Sequence, residues 1–74
     1  MQPYRNLDGH SGVMGYELGA GWIQVWFVNG KDYRYSAANA GAEHVRNMQT
    51  LAEAGESLAS YISKFVHDKY DSGA

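Results

Sequence analysis

The chain has 74 residues, of which 45% are hydrophobic and 19% are charged, and its net charge at pH 7 is −2. A chain this short forms one domain with a small core, and this composition excludes a largely disordered protein. Six Lys and Arg residues do not outnumber eight Asp and Glu residues, which argues against strong non-specific binding to nucleic acid.

Cysteine usage and hydropathy indicate where the chain works. It contains no cysteine, and no apolar run approaches the length of a membrane span. We therefore expect a protein of the reducing cytoplasm with no membrane contact. Because a single core of this size rarely supplies more than about 3 to 5 kcal/mol, self-association would be a natural supplement to its stability.

The first half of the chain has the composition of a short meander of strands. Loop-forming residues dominate residues 1–11, which we predict to be an irregular arm. Residues 13–18, 22–28 and 32–36 are rich in β-branched and aromatic residues, and glycines lie between these segments. The pattern predicts three antiparallel strands.

The second half has an apolar period of about 3.6, which predicts two helices. Asn39 would cap the first helix and Gly55 would end it, whereas Ser57 would cap the second, which ends near Lys69. The apolar stripes consist of Val45, Met48, Leu51 and Ala52 in the first helix, and of Leu58, Tyr61, Ile62, Phe65 and Val66 in the second. The predicted fold class is α+β, with a three-stranded antiparallel meander followed by two helices packed on one face (β-β-β-α-α). Residues 12–70 form its single domain and residues 71–74 a frayed tail.

The length of the loop in the second hairpin decides which side chains point inward. A three-residue loop at residues 28–30, with Gly30 in the left-handed conformation, pairs Val25 with Tyr33 and Ile23 with Tyr35. A two-residue loop would instead place charged side chains among the aliphatic ones. We therefore predict the longer loop.

The first hairpin agrees with this arrangement, because a turn at residues 19 and 20 pairs Tyr16 with Ile23 and Met14 with Val25. The predicted inner face comprises Met14, Tyr16, Ile23, Val25, Phe27, Tyr33 and Tyr35. We expect Tyr33 and Tyr35 to be mainly structural. The predicted outer face comprises Val13, Glu17, Trp22, Gln24, Trp26, Asp32 and Arg34, with Gly15 opposite Gln24.

The two tryptophans on the outer face need either a cover or a partner. Two helices cannot cover both faces of the sheet, and exposed apolar surface of this kind usually marks an interaction site. We favour a partner or self-association. The alternative is that the arm, with Pro3, Tyr4 and Leu7, folds back over the tryptophans.

Two motifs resemble a known family. Tyr33-Arg34-Tyr35 follows an alternating strand and a Gly-containing turn, and the C-terminal segment SYISKFVHDKY contains Tyr61, Ile62, Val66 and Tyr70. In this order and spacing, residues 12–70 resemble the KTSC domain, named for the C-terminal extension of some lysyl-tRNA synthetases and found also as a stand-alone bacterial protein. The resemblance implies a β-β-β-α-α domain without an established function, for which the synthetase context suggests RNA binding.

The C-terminal helix departs from the pattern of that family. KTSC domains commonly have an Asn and more basic residues there, whereas this chain has Ser63, His67 and Asp68 and retains only Lys64 and Lys69. The departure weakens the expectation of RNA binding for this member.

The sequence offers no set of residues spaced for catalysis or for metal binding. His10, His44 and His67 fall in three different predicted segments and match no metal-binding motif. Asp8 and His10 are candidate neighbours in the arm, and Ser57, Ser60 and Ser63 have no partner base. We predict no catalytic residue, no metal, no cofactor and no small-molecule substrate.

The predicted function is that of a non-enzymatic interaction module which binds a protein partner or itself through Trp22, Gln24, Trp26 and Arg34. A symmetric homodimer with the sheets back to back is the preferred form. The alternative is a weak RNA-binding accessory domain that uses the same face with Lys64 and Lys69. Glu17 and Asp32 on that face would oppose a phosphate chain, so RNA is not favoured.

Overall fold

A computed structural model describes residues 1–9 and 11–71 of the chain. Within these residues lies one antiparallel sheet of four strands in the order β1-β2-β3-β4. The strands are β1 at Gln2–Pro3, β2 at Val13–Gly19, β3 at Trp22–Phe27 and β4 at Asp32–Ser36. The α+β class is confirmed. The expectation of three strands is wrong in detail, because Gln2 and Pro3 leave the predicted irregular arm to pair with Tyr16 and Gly15 of β2.

The helical part also differs in detail from two continuous helices. It comprises α1 at Ala37–Ala40, α2 at Ala42–Ala54, and α3 at Leu58–Tyr61, which continues as a π-helical turn at Ile62–Val66. The last helical turn therefore ends at Val66 rather than near Lys69. Gly55 ends α2 in the left-handed conformation (φ 79), as predicted. Neither Asn39 nor Ser57 caps a helix with its side chain, so both predicted caps are wrong.

The hairpin of β3 and β4 has the predicted register. Val25 pairs with Tyr33 and Ile23 pairs with Tyr35. The loop spans residues 28–30, with the Gly30 amide donating to the Phe27 carbonyl at 3.0 Å and Gly30 at φ 91. The left-handed glycine closes a three-residue loop, and the aromatic and aliphatic residues therefore share the inner face.

The hairpin of β2 and β3 differs from the prediction by two residues in its pairing. The turn lies at residues 20 and 21, so Tyr16 pairs with Val25 and Leu18 pairs with Ile23. An even shift preserves the face of each side chain, and Tyr16 still points inward beside Val25. Gly21, at φ 79, supplies the left-handed residue of this turn.

A β-bulge at Met14 changes the start of β2. The register shifts between Val13 and Gly15, which leaves Met14 without a cross-strand partner. Val13 consequently turns to the inner face and is 2% exposed, whereas Met14 is 44% exposed. The predicted positions of Val13 on the outer face and Met14 on the inner face are both wrong.

The core lies between the inner face of the sheet and the helices. Its buried members are Tyr4, Val13, Ile23, Val25, Tyr35, Ala40, Val45, Met48, Ala52, Leu58, Ile62 and Val66. The predicted stripe of α2 is confirmed, with Leu51 packed against the core at its margin. The predicted stripe of the last helix is confirmed except for Phe65, which is 49% exposed because it lies on the far side of the π-helical turn.

Candidate functional site

The sheet face opposite the helices, called the outer face below, is a grid of three cross-strand rows. The rows are Gly19-Trp22-Ser36, Glu17-Gln24-Arg34 and Gly15-Trp26-Asp32. Gly15 therefore lies opposite Trp26, not opposite Gln24 as predicted. All helices within the described residues pack on the inner face, so none of them covers the grid.

Trp22 is held between a glycine and an arginine. A β-carbon at Gly19 would overlap Cε2 of the Trp22 indole, so the ring fits only because Gly19 has no side chain. On the other side, Cζ of Arg34 lies 4.2 Å from the centre of the indole. This distance is that of a cation-π contact, which is worth about 0.5 to 1 kcal/mol at an exposed site.

Three polar side chains of the grid, those of Arg34, Gln24 and Asp32, form a continuous hydrogen-bonded chain. Arg34 Nε donates to Gln24 Oε1 at 3.0 Å, and Gln24 Nε2 donates to Asp32 Oδ2 at 2.5 Å. Both polar atoms of the Gln24 side-chain amide are therefore hydrogen-bonded within the outer face. Because Nε of Arg34 is used within the row, its two terminal NH2 groups are the part of the guanidinium that remains to bind an anionic group.

Trp26 is half-buried, and the start of the chain lies at its corner of the grid. The position of a β-carbon on Gly15 would be 2.5 Å from Met1 Sδ, so the thioether lies over Gly15. Met1 is itself 61% exposed and adds apolar surface there.

The remainder of the arm lies on the helical side. Tyr4 is buried, and its hydroxyl accepts a hydrogen bond from the Leu58 amide at 3.3 Å. Asp8 Oδ2 accepts from the Ser57 amide at 2.8 Å, and Arg5 Nη2 donates to the Glu53 carbonyl at 2.6 Å. These bonds satisfy backbone groups at the end of α2 and the start of α3. The start of α3 therefore does not depend on a hydrogen bond from the Ser57 hydroxyl. Burial also raises the pKa of Tyr4.

The alternative in which Pro3, Tyr4 and Leu7 cover the tryptophans is therefore not what the structure shows. Pro3 is exposed in β1, Tyr4 enters the core, and the Leu7 amide donates to the Gly55 carbonyl at 2.7 Å beyond the end of α2. Among residues 1–9, Met1 lies over Gly15 and Pro3 pairs with Gly15, so these two residues reach the margin of the outer face.

The two tyrosines of the Tyr33-Arg34-Tyr35 motif lie on the inner face. Tyr35 is 2% exposed, and burial raises the pKa of its phenol to about 12, with smaller contributions from Tyr33 and Tyr70. Tyr33 is half-buried, with its ring centre 5.9 Å from that of Phe27 and 4.7 Å from that of Tyr70. Both positions suit packing rather than contact with a partner.

The free edge of β4 is protected by the C-terminal segment. The Asp71 amide donates to the Arg34 carbonyl at 2.7 Å, and Asp71 Oδ1 accepts from Ser36 Oγ at 2.6 Å and Asn39 Nδ2 at 2.7 Å. The bond from Ser36 is the main reason that the pKa of Asp71 lies below 3.8, with help from Asn39 and the charge of Arg34. The sequence predicts that Asp71 belongs to the frayed tail, whereas the structure binds it to β4 and α1 through these hydrogen bonds. Residues 72–74 lie outside the described residues.

A second exposed cluster lies on the helical layer. His44 Nδ1 and the Tyr61 hydroxyl are 2.6 Å apart, Asn47 Nδ2 donates to the same hydroxyl at 3.1 Å, and Phe65 packs against both rings. Lys64 lines the groove beside this cluster. Lys64 therefore lies on the layer opposite to the tryptophans, and Lys69 is exposed after the π-helical turn.

The residues considered for metal binding or catalysis lie as follows. Residues 1–9 and 11–71 contain no group of three or more His, Asp or Glu side chains placed to hold a metal ion. The suggested pair of Asp8 and His10 lies partly outside the described residues. Ser60 and Ser63 are exposed. Within the described part of the chain, the helices are too short or too polar to cross a membrane.

Comparison with known proteins finds no match to this chain. No protein-family model, curated protein or solved structure matches the chain.

Proposed function

We propose that this protein is a small non-enzymatic interaction module that binds a protein partner, or a second copy of itself, through the outer face. The observation that carries the proposal is the pair of half-buried indoles, Trp22 and Trp26, on a sheet face that no helix of the described residues covers. Apolar surface of this kind marks interaction sites. Tryptophan and arginine are also the residues that contribute most at protein interfaces.

The order of the outer face supports the same function. Trp22, Gln24 and Arg34 are already fixed by a cation-π contact and hydrogen bonds in the free chain. Fixing long side chains on binding costs about 0.5 to 1.5 kcal/mol each, and a surface ordered in advance avoids much of that cost. This arrangement favours specific binding of one partner over non-specific hydrophobic association.

RNA binding is the weaker candidate. Affinity for a phosphate chain comes largely from clustered Lys and Arg, whereas the grid has Glu17 and Asp32 beside its single cation, Arg34. Lys64, which was expected to assist, lies on the helical layer. The resemblance to KTSC domains supports a small α+β module of this kind, and we include membership of that family in the proposal. Since the chain has no cysteine, we also propose that it works in the cytoplasm.

Tryptophan fluorescence tests the proposal, because the emission of both tryptophans reports on the outer face. If the face contacts protein, emission is blue-shifted at high protein concentration or on addition of the partner, and moves to the red on dilution. The variant Trp26→Glu should remain folded and lose this shift. Phe65→Glu is the matched control, since it changes an exposed aromatic residue on the helical layer and should leave the shift intact.

Two results would count against the proposal. Emission that stays red at all concentrations and is quenched by a short RNA in a salt-sensitive way would favour the RNA alternative. General unfolding of Trp26→Glu would show that this indole belongs to the core.

A further inference from the structure

We infer that the partner which the outer face fits is a second copy of this chain, related by a two-fold axis that runs along β3. The inference rests on the proposed function, because it assigns a partner to the same surface. It follows from the placement of charge and of small residues on the grid.

The middle row of the grid has opposite charges at its two ends. Glu17 on β2 and Arg34 on β4 flank Gln24 on β3, so each lies about 5 Å from the line of β3. Two sheets that pack face to face through a two-fold axis have that axis in the plane of the interface. If the axis runs along the strands, it exchanges the positions of β2 and β4, and Glu17 of each copy faces Arg34 of the other.

The outer rows agree with the same axis. In the first row, Gly19 would face Ser36 of the second copy, and in the third row Gly15 would face Asp32. The Trp22 ring lies over Gly19 and the Met1 thioether lies over Gly15, so these apolar groups would face the polar side chains of Ser36 and Asp32 in the second copy. The two tryptophan positions on β3 face their own counterparts across the interface, and the Met1 thioether over Gly15 adds a flexible apolar group at the margin.

The other in-plane axis is disfavoured by charge. An axis that crosses the strands would place Glu17 against Glu17 and Arg34 against Arg34, and like charges across an interface cost several kcal/mol. Aligned sheets are rotated by about 30° in practice, which moves a group 5 Å from the axis by only about 2.5 Å. Glu and Arg side chains span that displacement easily.

In the described part of the chain, the side chain of Arg34 donates a hydrogen bond through Nε, and its charge also acts on the carboxylate of Asp71. Its Cζ lies over the Trp22 ring and its Nε donates to Gln24, so the two terminal NH2 groups are the donors that can reach a carboxylate of the second copy. Glu17 is exposed. Each dimer would contain two such Glu17–Arg34 pairs. Because both copies carry any substitution, a change of either residue removes both pairs.

The size of the grid sets the strength of the dimer. Three strands about 4.8 Å apart and five residues of about 3.4 Å each cover roughly 240 Å² per copy. This is far below the roughly 800 Å² per partner of a stable interface, so the dimer should be weak. We therefore expect the dimer to form only at high protein concentration.

Charge exchange tests the symmetry directly. Glu17→Arg alone places Arg against Arg34, and Arg34→Glu alone places Glu against Glu17, so each variant should be monomeric at 1 mM by sedimentation. When the two variants are mixed, every facing pair is opposite in charge, and a heterodimer should form. The double variant should recover self-association. Lys64→Glu, on the helical layer, is the matched control and should associate like the unchanged chain.

The two indole N–H signals in NMR spectra show which surface is used. Signals of ¹⁵N-labelled Glu17→Arg should shift on titration with unlabelled Arg34→Glu, and not with unlabelled Glu17→Arg. Should Arg34→Glu fail to fold, loss of self-association in Glu17→Arg and its recovery in Glu17→Gln provide the same test.

Contrary outcomes separate this inference from the proposed function. An unchanged chain that stays monomeric up to 1 mM, or single variants that associate normally, would overturn the two-fold arrangement and leave the face available to another protein. Association that leaves both indole signals unmoved would place the self-interface on another surface, and it too would overturn the two-fold arrangement alone.

Discussion

Replacement of Tyr35 tests whether the tyrosine motif is part of the core. The side chain is 2% exposed and is among the largest that the chain buries completely. Removal of a buried aromatic side chain down to alanine costs about 3 to 5 kcal/mol. A core of this size supplies about 3 to 5 kcal/mol in total, so Tyr35→Ala should be largely unfolded at 25 °C.

Urea unfolding followed by far-ultraviolet circular dichroism measures the effect. Tyr35→Phe retains the ring and should lose less than about 1.5 kcal/mol, because the volume is nearly conserved. Tyr33→Ala removes a half-buried ring and should cost clearly less than Tyr35→Ala. A folded Tyr35→Ala variant with an unchanged midpoint would refute the assignment of Tyr35 to the core, and loss of partner binding in that folded variant would make it a contact residue.

Three further changes address other parts of the structure. Gly19→Ala should cost about 1 to 3 kcal/mol, because its β-carbon displaces the Trp22 ring, whereas Gly12→Ala, with open space around it, is a neutral control in the same urea assay. Tyr4→Phe should cost about 1 to 3 kcal/mol by leaving the Leu58 amide without an acceptor, and an unchanged midpoint would contradict that role. The pKa of Tyr35 is about 12 when folded, against an ordinary 10.0, so its contribution to stability is complete below pH 10 and is lost as the pH rises through 12. Tyr35→Phe should therefore show a smaller fall in urea midpoint over that range than the unchanged chain.

The hairpin of β3 and β4 could be predicted from local chemistry. Only one of the two candidate loops keeps charged side chains away from the aliphatic face, and Gly30 adopts the left-handed conformation that this loop needs. The register then determines the position of Tyr33, Arg34 and Tyr35 without knowledge of the helices. The predicted members of the candidate site on β3 and β4, among them Trp22 and Arg34, follow from the same register.

The hairpin of β2 and β3 could not be predicted in the same way. Glycine occurs at both ends of residues 19–21, so turn chemistry allows a loop at residues 19 and 20 or at residues 20 and 21. What distinguishes them is tertiary packing, because the observed register places Gly19 under the Trp22 ring. The bulge at Met14 is also set by packing, since it brings Val13 into the core. Neither feature has a local sequence signal strong enough to outweigh the alternative.

Helix caps failed as local predictions because their partners are far away in sequence. Asn39 and Ser57 are the residue types that usually cap a helix, yet the Ser57 amide is satisfied by Asp8, and Asn39 binds Asp71 instead. Such pairs are separated by more than 30 residues along the chain. Only the fold brings them together, so sequence rules based on neighbouring residues cannot detect them.

The course of the arm explains why the outer face stays open. Pro3 pairs with Gly15, and the Tyr4 amide then donates to the Met14 carbonyl at the bulge, so the chain turns over the edge of the sheet toward the helices. Tyr4, Arg5 and Asp8 satisfy backbone groups at the ends of two helices, which an arm laid over the tryptophans could not do. The Leu58 amide is buried, and leaving it without an acceptor would cost about 1 to 3 kcal/mol, which favours the observed course of the arm. The course of the arm therefore leaves Trp22 and Trp26 without cover from residues 4–9.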